Sequence, residues 1–168
     1  MKGFALVVIC IFVLLFNGCS SDNLVIKMDK KTFEKERDAW VSQNLKNYQF
    51  TYEYFGSSTG PFGPINVTVS ENEETIVETL CERSLSGAFM FESICDIYAH
   101  IFNLIMFAES VRNGTYDGPW KVSTVIIDVS YNVQNHYPTE VAFSVGYVED
   151  IVGGPGHILT VSEFKILD

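Results

Sequence analysis

The chain has 168 residues, with 11 Lys and Arg against 21 Asp and Glu and a formal net charge of −10. That length suits one domain with a sizeable core. The acidity argues against nucleic acid or an anionic lipid surface as a partner, because both reward clustered Lys and Arg.

The first 19 residues form one unit. Lys2 precedes an unbroken apolar run from Gly3 to Phe16, and Asn17-Gly18-Cys19 then gives way to Ser20-Ser21-Asp22-Asn23. A charged start, a short hydrophobic stretch and a small residue before the cut describe an export signal over 1–18. The cysteine directly after Gly18 resembles that of a lipobox, with Phe16 and Asn17 where Leu and Ala or Ser are commoner, and marks Cys19 as a lipidation site. The run is too short for a retained membrane span, which needs about 20 apolar residues. Acyl chains such as palmitate on Cys19 would anchor the chain at about 0.8 kcal/mol per buried methylene. Ser20 rather than Asp after that cysteine favours the outer membrane or cell surface over the inner membrane. Removing 1–18, with Lys2 its only charge, leaves 150 residues carrying 10 basic and 21 acidic groups, a net charge of −11.

Residues 19–29 read as the lipidated cysteine and a tether, and 30–168 as a single globular domain. Thr32 is the expected N-cap of a helix carrying Phe33, Arg37 and Trp40, spaced four and three apart, and ending near Asn44. Glu34 and Glu36 then fall in a first turn that favours acids. Tyr48, Phe50, Tyr52 and Tyr54 alternate with other residues, so one strand face is fully aromatic. An aromatic stripe at this spacing is more often the inner face of a sheet than a surface for stacking sugars or a peptide. Gly56 to Pro64, with three glycines and two prolines, reads as a loop. Strands over 65–69 and 74–81 follow as a hairpin.

A core helix is expected within 87–108, closed by Asn113-Gly114. Its apolar side holds Phe91, Ile94, Tyr98, Ile101, Phe102 and Ile105. Glu92, Asp96, His100 and Asn103 recur along a stripe, and two carboxylates there argue against a membrane span. Strands over 122–131, 139–148 and 158–167 complete the chain. The fold class is α+β, with two helices on a mainly antiparallel sheet of about six strands in the order αβββαβββ.

Of the four cysteines, Cys10 leaves with the signal and Cys19 is acylated, leaving Cys81 and Cys95. An exported pair invites a disulfide. The alternative is a buried Cys95 on a helix and a strand Cys81 that never meet.

Trp40, Asn44-Leu45-x-x-Tyr48-x-x-x-Tyr52, Ile97-Tyr98-Ala99-His100-Ile101-Phe102, Val129-x-Tyr131 and Tyr137-Pro138-Thr139 come in one order over roughly residues 37–165. In that order the chain resembles a family of bacterial lipoproteins catalogued as a domain of unknown function. The resemblance implies a fold and an envelope location, and no catalytic residues or cofactor.

Three clusters carry candidate chemistry. Glu92, Asp96 and His100 could surround a divalent metal, although such sites usually recruit a second helix, and an Asp96 to His100 pair is the plainer reading. His136 and Tyr137, with Asp128 and Tyr131 nearby, form a possible binding or acid-base turn. Gly153-Gly154-Pro155-Gly156-His157 lacks the lysine and following helix of a phosphate cradle, and reads as a hairpin loop. Asn66-Val67-Thr68 fits a glycosylation acceptor that a bacterial lipoprotein would rarely use.

No cofactor is expected. The function implied is a lipid-anchored envelope lipoprotein acting as a non-catalytic module that binds a protein or small ligand. The alternatives are a small metal-dependent or acid-base hydrolase, and an inhibitor that inserts the 56–64 loop into a target.

Overall fold

The computed structural model describes residues 24–70, 91–149 and 154–167. The export signal, Cys19, the expected strand 74–81 and Cys81 lie outside the described residues.

Chain order is β1 (Val25–Lys27), α1 (Lys30–Ser42), β2 (Tyr48–Gly56), β3 (Gly60–Val69), α2 (Ile94–Arg112), β4 (Val122–Tyr131), β5 (Pro138–Tyr147) and β6 (Gly156–Ile166). Among the described residues these six strands form one sheet in the order β1-β4-β5-β6-β2-β3. Every pairing is antiparallel except β1 with β4. The α+β class and a mainly antiparallel sheet are thus present. The expected order is altered at its start, because a short strand sits in what reads as tether. Ile26 is its inward residue and packs against the core, which gives three residues enough burial to pair.

α1 begins earlier than expected. Asp29, not Thr32, is the N-cap; its carboxylate accepts from the Thr32 backbone N–H at 2.9 Å and from the Thr32 hydroxyl at 2.7 Å. An aspartate that satisfies an orphan donor outcompetes a threonine three residues later. With the start moved, the first turn holds no acid, and the buried residues are Phe33, Glu36 and Trp40. Arg37 lies at the helix flank, its guanidinium 5.6 Å from the Phe33 ring centroid.

The run Gly56 to Pro64 is not a loop. Only Ser57 to Thr59 turn, and Gly60 onward pairs with β2 as an edge strand. Proline is tolerated there because an edge strand can leave one side of its backbone unpaired. Gly63 takes φ +114, and a Cβ at that position would sit 2.9 Å from the Tyr52 carbonyl oxygen. Glycine is therefore required where β2 shifts register between Tyr52 and Tyr54.

Tyr48, Phe50, Tyr52 and Tyr54 are each 4% exposed or less and form the inner face of β2. They join Val125, Ile127, Val141, Leu159 and Val161 from the neighbouring strands in one core. α2 covers this face with Ile94, Ile97, Tyr98, Ile101 and Ile105, while Phe102 faces outward at 41% exposure. By length and composition α2 is apolar enough to cross a membrane, but more than half of that stretch is buried against the sheet. Gly114 closes it at φ +70, as the Asn113-Gly114 pair implies. The 156–166 strand begins inside the glycine-rich run, so His157 is a strand residue.

Candidate functional site

Register divides the sheet into two faces. Residues 48, 50, 52 and 54 point to the helices, so Thr51, Glu53 and Phe55 point away. Cross-strand pairing places Phe55 opposite Ile158, and Ile158 opposite Ala142. Ile126 lies diagonally from Ala142, through its pairing with Ser144. These four residues share one patch over β2, β6, β5 and β4. Phe55 is 56% exposed and Ile158 46% exposed. Between them the small Ala142, Ser144 and Gly156 leave a shallow cavity of about 340 Å³. Next to this patch runs a polar row in which Glu53 faces Thr160 and Thr160 faces Glu140. Farther along, the Thr51 hydroxyl lies 2.6 Å from the Asn66 amide and 2.9 Å from the Glu163 carboxylate. A hydroxyl has one proton, so Thr51 donates to Asn66 Oδ1 or to the Glu163 carboxylate at any moment.

On the covered face, the expected Glu92, Asp96 and His100 group does not assemble. Asp96 is 6% exposed and serves the helix start: it accepts from the Glu92 backbone N–H at 2.9 Å and the Ser93 hydroxyl at 3.1 Å. Ser93 is the N-cap, and its hydroxyl accepts from the Asp96 N–H at 3.2 Å. A carboxylate used as a cap is directed back along its own first turn and away from a side chain four residues on. Among the described residues, no three His, Cys, Asp or Glu groups gather as a metal site.

His100 instead meets His157. Their Nε2 atoms are 2.8 Å apart, so one ring donates and the other accepts. Tyr54 stacks on His157 at 5.1 Å, Phe143 lies 5.3 Å from it, and Phe91 lies 5.6 Å from His100. Burial, with the neighbouring His157 adding to it, pushes the His100 pKa down to about 3, and burial pushes His157 down to about 4. Both rings are therefore neutral near neutral pH, and one of them keeps the free lone pair that an N–H···N bond needs.

His136 also acquires a partner from afar. Its Nδ1 lies 2.7 Å from Glu36 Oε2, and Lys35 Nζ holds the other oxygen at 2.9 Å. The His136 bond, with Lys35 adding to it, holds the Glu36 carboxyl below its ordinary pKa. Tyr98 donates its hydroxyl to the His136 carbonyl, and Gln43 donates to the Asn135 carbonyl at 2.8 Å. The Asn132 side chain accepts from the backbone N–H groups of Gln134 and Asn135, and His136 sits at φ +56. The turn is therefore fastened to α1 and α2. Tyr137 points inward, 8% exposed and stacked on Phe164 at 4.5 Å. A carboxylate-held imidazole can act in proton transfer.

Cys95 is buried and disulfide-bonded. Cys81, its partner in the expected bridge, lies outside the described residues.

Sequence reasoning missed the outer patch and the two long-range histidine partners. The patch had a signal: Phe55 breaks the phase of an alternating aromatic strand, and Ile158 sits beside the inward Leu159. An apolar residue at an outward position calls for a surface role. The histidine pairings had no local signal, since their partners are 57 and 100 residues away.

No protein family, no curated protein and no solved structure matches the chain.

Proposed function

We propose that the chain is a lipid-anchored lipoprotein of the bacterial envelope whose domain binds a protein partner without catalysis. The carrying observation is the patch of exposed Phe55 and Ile158 with half-buried Ile126 and Ala142, on the sheet face that neither helix covers among the described residues. Aromatic and aliphatic side chains at the centre of a polar rim are the usual anchors of a protein interface. The cavity is wide and shallow, a shape suited to side chains of another surface more than to an enclosed small molecule. The anchor rests on the export signal and Cys19. It would hold the domain at the membrane through residues 20–24.

Two experiments test this reading. Cys19→Ser should abolish incorporation of a labelled fatty acid and release the protein from membranes; retained label would refute the anchor. A photo-crosslinking residue at position 55, introduced in the source cells, should give a discrete adduct that disappears with Ile158→Asp and persists with His100→Ala and His136→Ala. No adduct, or one insensitive to Ile158→Asp, would overturn the binding face. If a folded protein with both histidines replaced loses its cellular function, the hydrolase reading replaces this one.

A further inference from the structure

A second recognition element lies at the opposite edge of the sheet. β4 spans Val122–Tyr131, but its outer neighbour β1 pairs only with Thr124, Val125 and Ile126. After Lys27 the chain turns through Met28 and Asp29 into α1. Ile127 to Tyr131 therefore present an open sheet edge, with no strand against it among the described residues. Alternate residues of such an edge direct their N–H and C=O groups outward, where they form a template for another strand. Pro61 and Pro64 interrupt the backbone donors of the far edge strand, whereas 127–131 contains no proline and no lysine.

A cavity of about 170 Å³ opens beside this edge, beneath the start of α1. Phe33, Ile105 and Ile127 form apolar walls, and Asp29 and Tyr131 supply polar groups. Asp29 is ionised at neutral pH; the Thr32 backbone N–H, with the Thr32 hydroxyl adding to it, holds its carboxyl below the ordinary value. Its two oxygens each accept one bond from Thr32, and a carboxylate has about four acceptor positions, so it can take more. Apolar walls with an anionic group fit a side chain that has an aliphatic stem and a cationic head. The acidity of the whole chain favours the same sign of partner.

We infer that the 127–131 edge of β4 binds an extended segment of a protein partner by strand addition, with one lysine or arginine of that segment seated in the Asp29 cavity. Main-chain hydrogen bonds to β4 would supply affinity that is indifferent to sequence, and the cavity would select the basic residue. The cavity lies on the helix side of the sheet and the Phe55 patch on the other side.

The test is selection of random displayed peptides against the full-length protein in detergent, followed by titration of the synthetic winner. The expected winner alternates apolar residues around one Lys or Arg. It should bind about tenfold or more weakly to Asp29→Asn, a change worth about 1.4 kcal/mol or more at an unaltered fold, because asparagine is an equally good N-cap. Replacing the basic residue of the peptide by norleucine should weaken it similarly. Amide exchange should slow within Asp128 to Tyr131 on binding, and Ile158→Asp should leave the affinity unchanged. Winners without a basic residue, binding indifferent to Asp29→Asn, protection elsewhere, or no winner at all would each overturn the inference. Sedimentation that shows two copies joined through this edge would overturn it as well.

Discussion

His100 Nε2 lies 2.8 Å from His157 Nε2, so a helix and a strand 57 residues apart share one proton between two neutral rings in an aromatic surrounding. Protonating the accepting ring removes the lone pair that holds the bond, and protonating either ring places a charge among Tyr54, Phe91 and Phe143.

The pair should make stability depend on pH. Both folded pKa values, about 3 and about 4, lie below the ordinary histidine value of 6.5. Between those limits the unfolded chain binds more protons than the folded one, so acidification favours unfolding. Their contribution is complete above about pH 6.5 and falls as pH drops toward 4, with a slope approaching about 1.4 kcal/mol per pH unit for each ring. Urea midpoints measured from pH 7 to 5 should decline. In a folded variant with His100→Leu and His157→Leu that decline should flatten, and an unchanged slope would place the proton uptake elsewhere.

Glu36→Ala should destabilise the fold by about 1–3 kcal/mol, because His136 loses the acceptor for its ring N–H and the 132–137 turn loses a tie to α1. Glu36→Gln, which still offers an oxygen, should cost less. The Glu36 contribution is present above its unfolded pKa and is lost as pH falls through the depressed folded value. Chemical denaturation of the two variants at neutral pH ranks them. Equal losses would mean that the turn is held by its other bonds.

Ser93→Ala should cost about 1 kcal/mol by uncapping α2, and Asp96→Ala a similar amount by removing the reciprocal acceptor. The double variant should lose less than the sum, since each residue serves the other. Thermal melts of the three proteins check this. Full additivity would separate the two roles.

Ile158→Asp and Phe55→Ser should leave stability within about 0.5 kcal/mol, because both side chains are exposed. Leu159→Ala, one residue from Ile158 and fully buried, should cost about 2–5 kcal/mol. A large loss at Phe55 would mean that something covers that face in the folded protein.

Gly63→Ala should be destabilising by about 1–3 kcal/mol, given its φ of +114 and the 2.9 Å approach of a Cβ to the Tyr52 carbonyl. A melting temperature equal to that of the parent would show that β3 can shift to relieve the contact.

The alternation of Tyr48 to Tyr54 by itself determined which face of β2 is core, since a period of two leaves only one way to bury four aromatic rings. Val122 to Tyr131 and Asn113-Gly114 were legible for the same reason, a period or a backbone preference carried by adjacent residues. Gly56 to Pro64 misled, because composition marks residues that tolerate a turn and does not show whether an edge strand can use them. Asp96 looked like a companion of His100 because helical spacing says which side chains are near and not which donor each satisfies. The pairing of β6 with β2, the meeting of His100 with His157 and of Glu36 with His136, and the exposure of Phe55 were decided by the tertiary structure alone. Each depends on segments far apart in the chain, whose approach is set by burial of the whole sheet face and leaves no trace in local periodicity.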